Sequence, residues 1–300
     1  MTLVERTIEK MRRAAAEQRP SAETRPVGSL VTEPPKVADT PGAPPAAPSR
    51  SIAVNREALR EAGYLPETEV DRRFADHYRQ IKRPLISAAL AAPEAVPGSP
   101  RLIMMASALP GDGKTFTSIN LALSMARERD VSVVLVDCDT PKPHVSRIFG
   151  VDNEPGLLDA LGDASTDIES LVLPTDVGGL SILPAGTTHD GATEMLASAR
   201  MAAVVTRLIA RNPRRVVLFD SPPLLVSSES RALSSIAGQV VLVVRSGHTP
   251  NQAVLDALDQ LGDRPVALVL NQGRVSLTGG YYGYGNYGNY GDAPRGEGHV

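Results

Sequence analysis

The chain is poor in cysteine, in long apolar runs and in excess positive charge, and each shortage removes a class of protein. Cys138 is the only cysteine, so no disulfide framework can form within the chain. The five histidines are scattered, and no Cys/His spacing suits a zinc site. These features are expected of a reducing compartment. No apolar stretch approaches the roughly 20 residues needed to cross a bilayer; the best, 84–92, is far shorter. Near the N-terminus, Glu5, Arg6, Glu9, Lys10, Arg12 and Arg13 interrupt the apolar residues, whereas a secretory signal keeps them together. The expectation is a cytoplasmic protein whose membrane association, if any, comes through a partner. The net charge of −3 and isoelectric point of about 6.0 lack the basic excess of a bulk nucleic-acid binder, so no nucleic-acid partner is expected.

What is present divides the 300 residues into four parts. Residues 1–50 begin with a short amphipathic helix over 1–18, with Val4, Ile8 and Met11 on one face. This helix either docks on a partner or membrane surface or packs on its own domain. A proline-dense stretch over 19–50 follows, too poor in large apolar residues for a core. It reads as a disordered tether or as a ligand for a proline-binding module. Residues 51–100 read as a helical preamble, with helices over 56–62 and 72–92, and a proline-rich linker. In it Phe74, Tyr78, Ile81 and Leu85 recur at near-helical spacing. Residues 101–272 alternate apolar runs with helical patterns. Strands are expected at 102–106, 132–137, 180–183, 216–220, 240–244 and 265–270, with helices near 114–128, 155–172, 192–211, 228–236 and 250–262. This alternation predicts an α/β fold, a mostly parallel sheet covered by helices on both faces. Residues 273–300 form a Gly-rich tail, expected to be disordered, with Tyr281, Tyr282, Tyr284, Tyr287 and Tyr290, five of the seven tyrosines.

Ala106–Thr115 reads ASALPGDGKT, following one expected strand and opening one expected helix. In that setting Gly111 and Gly113 let the backbone wrap a phosphate, and successive N–H groups face the anion. Lys114 can reach the β- and γ-phosphates of ATP, and the Thr115 hydroxyl can coordinate Mg²⁺. Two further strands end in carboxylates: one in Asp137-Cys-Asp139, the other in Asp220-Ser-Pro-Pro223. A carboxylate just beyond a buried strand is costly unless solvated, paired or bound to metal. Three near one phosphate loop suit Mg–ATP chemistry, in which one holds the metal and another accepts a proton. Taken singly, each is equally an aspartate capping a turn.

Together these motifs resemble the bacterial tyrosine kinases of capsule and exopolysaccharide synthesis, over about 70–285. Ala108–Thr115 matches that family's loop, in which a small residue and two variable residues precede Pro-Gly-x-Gly-Lys-Ser/Thr. Asp137 and Asp139 match its Asp-x-Asp-x-Arg, Asp220–Pro223 its Asp-Ser-Pro-Pro, and Glu194–Met201 a further family segment. The N-terminal segment and tail resemble the cytoplasmic autokinases linked to exosortase-type loci. The chain departs from the pattern where Pro141 replaces an arginine, followed by Lys142. Asp76, Arg79 and Lys82 match only loosely the Glu-x-x-Arg-x-x-Arg helix by which members form rings. Cell-division and partition ATPases, the rival likeness, carry a lysine where this chain has Leu109.

The resemblance implies a tyrosine autokinase using ATP and Mg²⁺. Pro110, Gly111, Asp112, Gly113, Lys114, Thr115 and Phe116 would hold nucleotide, with Asn271 near the adenine. Thr115, Asp139 and Asp220 would hold Mg²⁺ directly or through water. Asp137 would be the base for the incoming phenol, a role Asp139 can exchange with it. The five tail tyrosines would be the acceptors, though an aromatic/Gly tail is also a self-associating segment. The partners implied are further copies of the chain and an inner-membrane polysaccharide co-polymerase that activates it at the inner face of the cytoplasmic membrane. The rival function is a P-loop ATPase switch that phosphorylates no protein.

Overall fold

The computed structural model describes residues 51–64, 69–91, 94–188 and 191–273. The helix expected at 1–18, the tether at 19–50 and the tail tyrosines Tyr281, Tyr282, Tyr284, Tyr287 and Tyr290 lie outside the described residues. The molecule is built on a seven-stranded sheet. In chain order its strands are β1 (Leu102–Ser107), β2 (Ser132–Asp137), β3 (Leu173–Pro174), β4 (Leu180–Leu183), β5 (Arg215–Asp220), β6 (Gln239–Arg245) and β7 (Val266–Asn271). They lie in the order β3-β4-β2-β5-β1-β6-β7. Every pairing is parallel except that of β3 with β4. The α/β expectation therefore holds. Its chemical reason is visible in β1, whose residues are all buried. Leu102, Met104 and Ala106 enter the core on one face, while Ile103 and Met105 enter the core on the other. Apolar runs without polar alternation are what a sheet covered on both sides requires.

The helices are α1 (Arg56–Glu61), α2 (Glu69–Ala91), α3 (Lys114–Ala126), α4 (His144–Ile148), α5 (Leu157–Gly162), α6 (Ile168–Leu171), α7 (Ala192–Leu196), α8 (Ala199–Ala210), α9 (Ser228–Ile236) and α10 (Asn251–Leu261). The preamble helices pack on the same face of the sheet as α3. Tyr78, Lys82, Leu85 and Ala89 of α2 are buried at helical spacing, and Tyr78, Leu85 and Ala89 share one core with Ile103 and Leu121. The Lys82 ammonium donates to the Ser124 carbonyl at 2.7 Å and pairs with Glu128 at 2.7 Å. Gln239 ties the sheet to α2 by donating to the Leu85 carbonyl at 3.1 Å. Of the three residues compared with a ring-forming helix, Lys82 is thus turned into the domain. Asp76 and Arg79 pair with each other on the surface.

The helix expected over 155–172 is two short helices, α5 and α6. The break is chemical: the Asp163 carboxylate accepts from the Ser165 N–H at 2.9 Å, and Asp167 caps α6 by accepting from the Glu169 N–H at 3.2 Å. Such side chains compete with helical backbone bonds. The helix expected over 192–211 is likewise α7 and α8, with the Ser198 hydroxyl capping α8 at the Met201 N–H. Within the segment Glu194–Met201, Arg200 caps α5: its Nε donates to the Ala160 carbonyl at 2.8 Å.

Candidate nucleotide and catalytic site

In an open parallel sheet, ligands lie beyond the carboxyl ends of the strands. The three motifs meet there because β1, β5 and β2 are neighbours. The loop after β1 turns through Gly111 and Gly113, at φ 84° and φ 90°. Gly113 is required twice over. Its conformation is left-handed, and a Cβ there would lie 1.9 Å from the Asn271 amide nitrogen. That nitrogen donates to the Asp112 carbonyl at 2.9 Å, so β7 holds the loop by its backbone.

Asp112 is nearly inaccessible, at 1% exposure. Its carboxylate accepts from the Leu109 N–H at 3.2 Å and the Thr249 hydroxyl at 2.7 Å. That side chain braces the loop from within, while Pro110 and Gly111 are exposed at its crest. Phe116, expected among the nucleotide contacts, packs its ring 5.0 Å from Tyr64 and 6.0 Å from Phe74.

Asp220 is fully buried. It accepts from the Thr115 hydroxyl at 2.7 Å and the Ser118 hydroxyl at 2.8 Å, and the Lys114 ammonium stands at 3.2 Å. Lys114 also lies 3.7 Å from Asp139. A buried lysine held between two carboxylates is poised to exchange them for phosphate oxygens.

Asp137 has no exposed surface. One oxygen, Oδ2, accepts from both the backbone N–H and the hydroxyl of Ser146, each at 2.8 Å. The other, Oδ1, is buried without a hydrogen-bond partner among the described residues. Burial pushes this carboxyl up to about 7, the Asp220 charge adds to the rise, and the Ser146 hydrogen bonds oppose it. Burial also raises Asp139, against the pull of Lys114. Beside them Cys138 is wholly buried and its thiol is raised by burial, which leaves it unreactive. Where Pro141 replaces an arginine, the turn closes through the Lys142 N–H, which donates to the Asp139 carbonyl at 2.9 Å.

Among the described residues no group of three His, Cys, Asp or Glu side chains could hold a metal ion by itself. Mg²⁺ does not need one, since it takes one or two carboxylates, waters and substrate phosphates. Thr115, Asp220 and Asp139 supply a donor set of that kind, and the partnerless Asp137 oxygen is a further acceptor. The residues fit the ion. Among the described residues no helix is long and apolar enough to cross a membrane.

Sequence reasoning placed Lys114, Thr115, Asp137, Asp139 and Asp220, and the structure brings all five together. It did not single out Ser118, Ser146 or Thr249, each of which fixes one of the aspartates. Nothing in the local sequence marks them.

The AAA_31 family model, an AAA domain, matches residues 100–263. Tyrosine-protein kinase YwqD of Bacillus subtilis is 28% identical over 238 residues, covering 78% of this chain and 96% of that protein. Tyrosine-protein kinase Wzc of Salmonella typhimurium is 30% identical over 190 residues, covering 60% of this chain and 26% of that protein. The chain therefore spans about a quarter of the length of this second relative. Among solved structures, the VpsO kinase domain is 34% identical with a TM-score of 0.52, covering 57% of this chain and 84% of that one.

Proposed function

The chain belongs to the AAA_31 family of AAA domains, and we propose that it is an ATP-dependent protein-tyrosine autokinase whose acceptors are its own tail tyrosines. The observation that carries this reading is a base beside a phosphate loop in a chain with clustered tail tyrosines: Asp137 is a buried carboxylate with one oxygen fixed by Ser146 and the other without a partner among the described residues, and five tyrosines stand at 281–290. A nucleotide switch that hydrolyses ATP needs the same group for its attacking water. What favours the kinase is an acceptor for the phosphate: the five tail tyrosines supply one, and Leu109 stands where the partition-type switches carry a lysine.

In this mechanism the loop N–H groups and Lys114 hold the β- and γ-phosphates of ATP. Thr115, Asp139 and Asp220 would hold Mg²⁺, which supplies charge neutralisation at the phosphates. Asp137 takes the phenol proton as the phenolate oxygen bonds to the γ-phosphorus. The bond from that phosphorus to the β–γ bridging oxygen breaks, and ADP leaves. Asp139 can exchange roles with Asp137. Asn271, whose amide donates to the Asp112 carbonyl, would also meet the adenine.

The tail suits transfer between subunits. From Gln272 to Tyr290 it can extend about 60 Å at roughly 3.3 Å per residue, so a homo-oligomer is the expected working form. The resemblance to capsule and exopolysaccharide kinases supports a cytoplasmic protein recruited to the inner face of the membrane. There an inner-membrane polysaccharide co-polymerase would activate it, and its phosphorylation state would regulate polymerisation and export. Replacing Tyr281, Tyr282, Tyr284, Tyr287 and Tyr290 together by phenylalanine tests the reading. Phosphate incorporated from labelled Mg–ATP is expected to fall to background while ATP binding is kept. Undiminished incorporation would place the acceptor elsewhere.

A further inference from the structure

Asp220 ends β5, and the chain beyond it runs on beside the end of β1 and the start of the phosphate loop. The Leu224 N–H donates to the Ser107 carbonyl at 2.8 Å, and the Leu225 N–H donates to the Ala108 carbonyl at 3.2 Å. These bonds set two segments side by side and carry Val226 toward Leu109. Leu109 and Leu225 are partly buried hydrophobics packed against the same core, while Val226 is 61% exposed. A lone exposed valine is ordinary. Here it follows the half-buried Leu225, whose backbone is bonded beside the loop that leads to Lys114.

We infer that Leu109, Leu225 and Val226 form a shelf for the aromatic ring of an acceptor tyrosine from residues 281–290 of this chain. The inference rests on the autokinase reading and adds to it the surface that selects the acceptor. A phenol presented to Asp137 brings its ring with it, and that ring needs apolar surface beside the polar site. The occupant follows from where the chain goes next. Asn271 touches the phosphate loop, and the 27 residues after Gly273 continue from there with five tyrosines separated by Gly and Asn. That segment has little besides its rings to be recognised by. Tyr281 stands about 30 Å from Gln272 at full extension, at roughly 3.3 Å per residue, so such tails reach a site of this size readily.

The test measures binding apart from catalysis. A fluorescent peptide of residues 279–292 is titrated with the full chain loaded with Mg²⁺ and a non-hydrolysable ATP analogue. In that chain the five tail tyrosines are replaced by serine, so that its own tail does not compete. Val226→Asp is expected to weaken peptide binding about fivefold or more, Val226→Ala about threefold, and Val226→Leu less than about twofold. Affinity for the ATP analogue is expected to stay within about twofold throughout. A peptide with phenylalanine for tyrosine should bind as well, and one with serine should not. No binding to the unsubstituted shelf, or equal binding to Val226→Asp and Val226→Ala, overturns the inference. A peptide that binds in this pattern but takes up no phosphate when Mg–ATP replaces the analogue supports the shelf and counts against the autokinase reading alone.

Discussion

At the scale of single residues, the site spends stability on chemistry. Asp137 ordinarily titrates at 3.8 and is raised to about 7 by burial and by the Asp220 charge. A carboxyl raised on folding favours the folded state fully below its unfolded value, and that contribution is lost as pH rises through the folded value. Without nucleotide, the stability of the protein is therefore expected to fall between about pH 4 and pH 7 on this group's account, by at most about 1.4 kcal/mol per pH unit. Asp137→Asn should flatten that fall in denaturant titrations across the range; an unchanged slope would show that Asp137 titrates as an ordinary carboxylate. Gly113 answers to a different constraint. Gly113→Ala puts a methyl group 1.9 Å from the Asn271 amide in a left-handed conformation that costs about 1–3 kcal/mol. Its ATP affinity is expected to fall about tenfold or more by calorimetry. The ionic and loop residues were legible in the sequence because their identity is their signal. Ser146 and Thr249 were not: the hydroxyl of Thr249 reaches Asp112 across 137 positions, and only the folded register brings such a pair together.

At the scale of elements, legibility follows burial. Each strand buried on both faces is written as an unbroken apolar run. β3 has two residues, one of them a proline, at the sheet edge, and carries no such signal. α4 is five residues long and leans on Asp137 through Ser146 rather than on its own periodicity. The preamble shows the same logic, since the spacing of Tyr78 and Leu85 announces a helix but not what it packs against. Lys82 supplies that contact by holding a carbonyl in the last turn of α3. Lys82→Met leaves the Ser124 carbonyl without this donor and is expected to cost roughly 1–3 kcal/mol in denaturant unfolding. Arg79→Ala removes only an exposed pair with Asp76 and is expected to cost about 0.5 kcal/mol or less. Equal costs for the two would contradict the inward role of Lys82.

At the scale of the whole molecule, the account joins a nucleotide-binding domain to a tail carrying its own acceptors. Each phosphotyrosine adds about −1.5 to −2 charges. Five would add close to −8 or more, and in the homo-oligomer proposed above that charge would gather between subunits, so phosphorylation is expected to loosen it. Native mass measurements before and after full phosphorylation read this directly, and an unchanged assembly would count against it. All of this depends on one event, the transfer of phosphate from ATP to the tail. Intact-mass spectrometry after incubation with Mg–ATP, beside a Lys114→Met control, observes that event. The account predicts mass steps of one phosphate that map to Tyr281–Tyr290 and are missing from the control. ATP consumed with no phosphate added, even in the presence of the cytoplasmic segment of the proposed membrane partner, would contradict it and leave a nucleotide switch in its place.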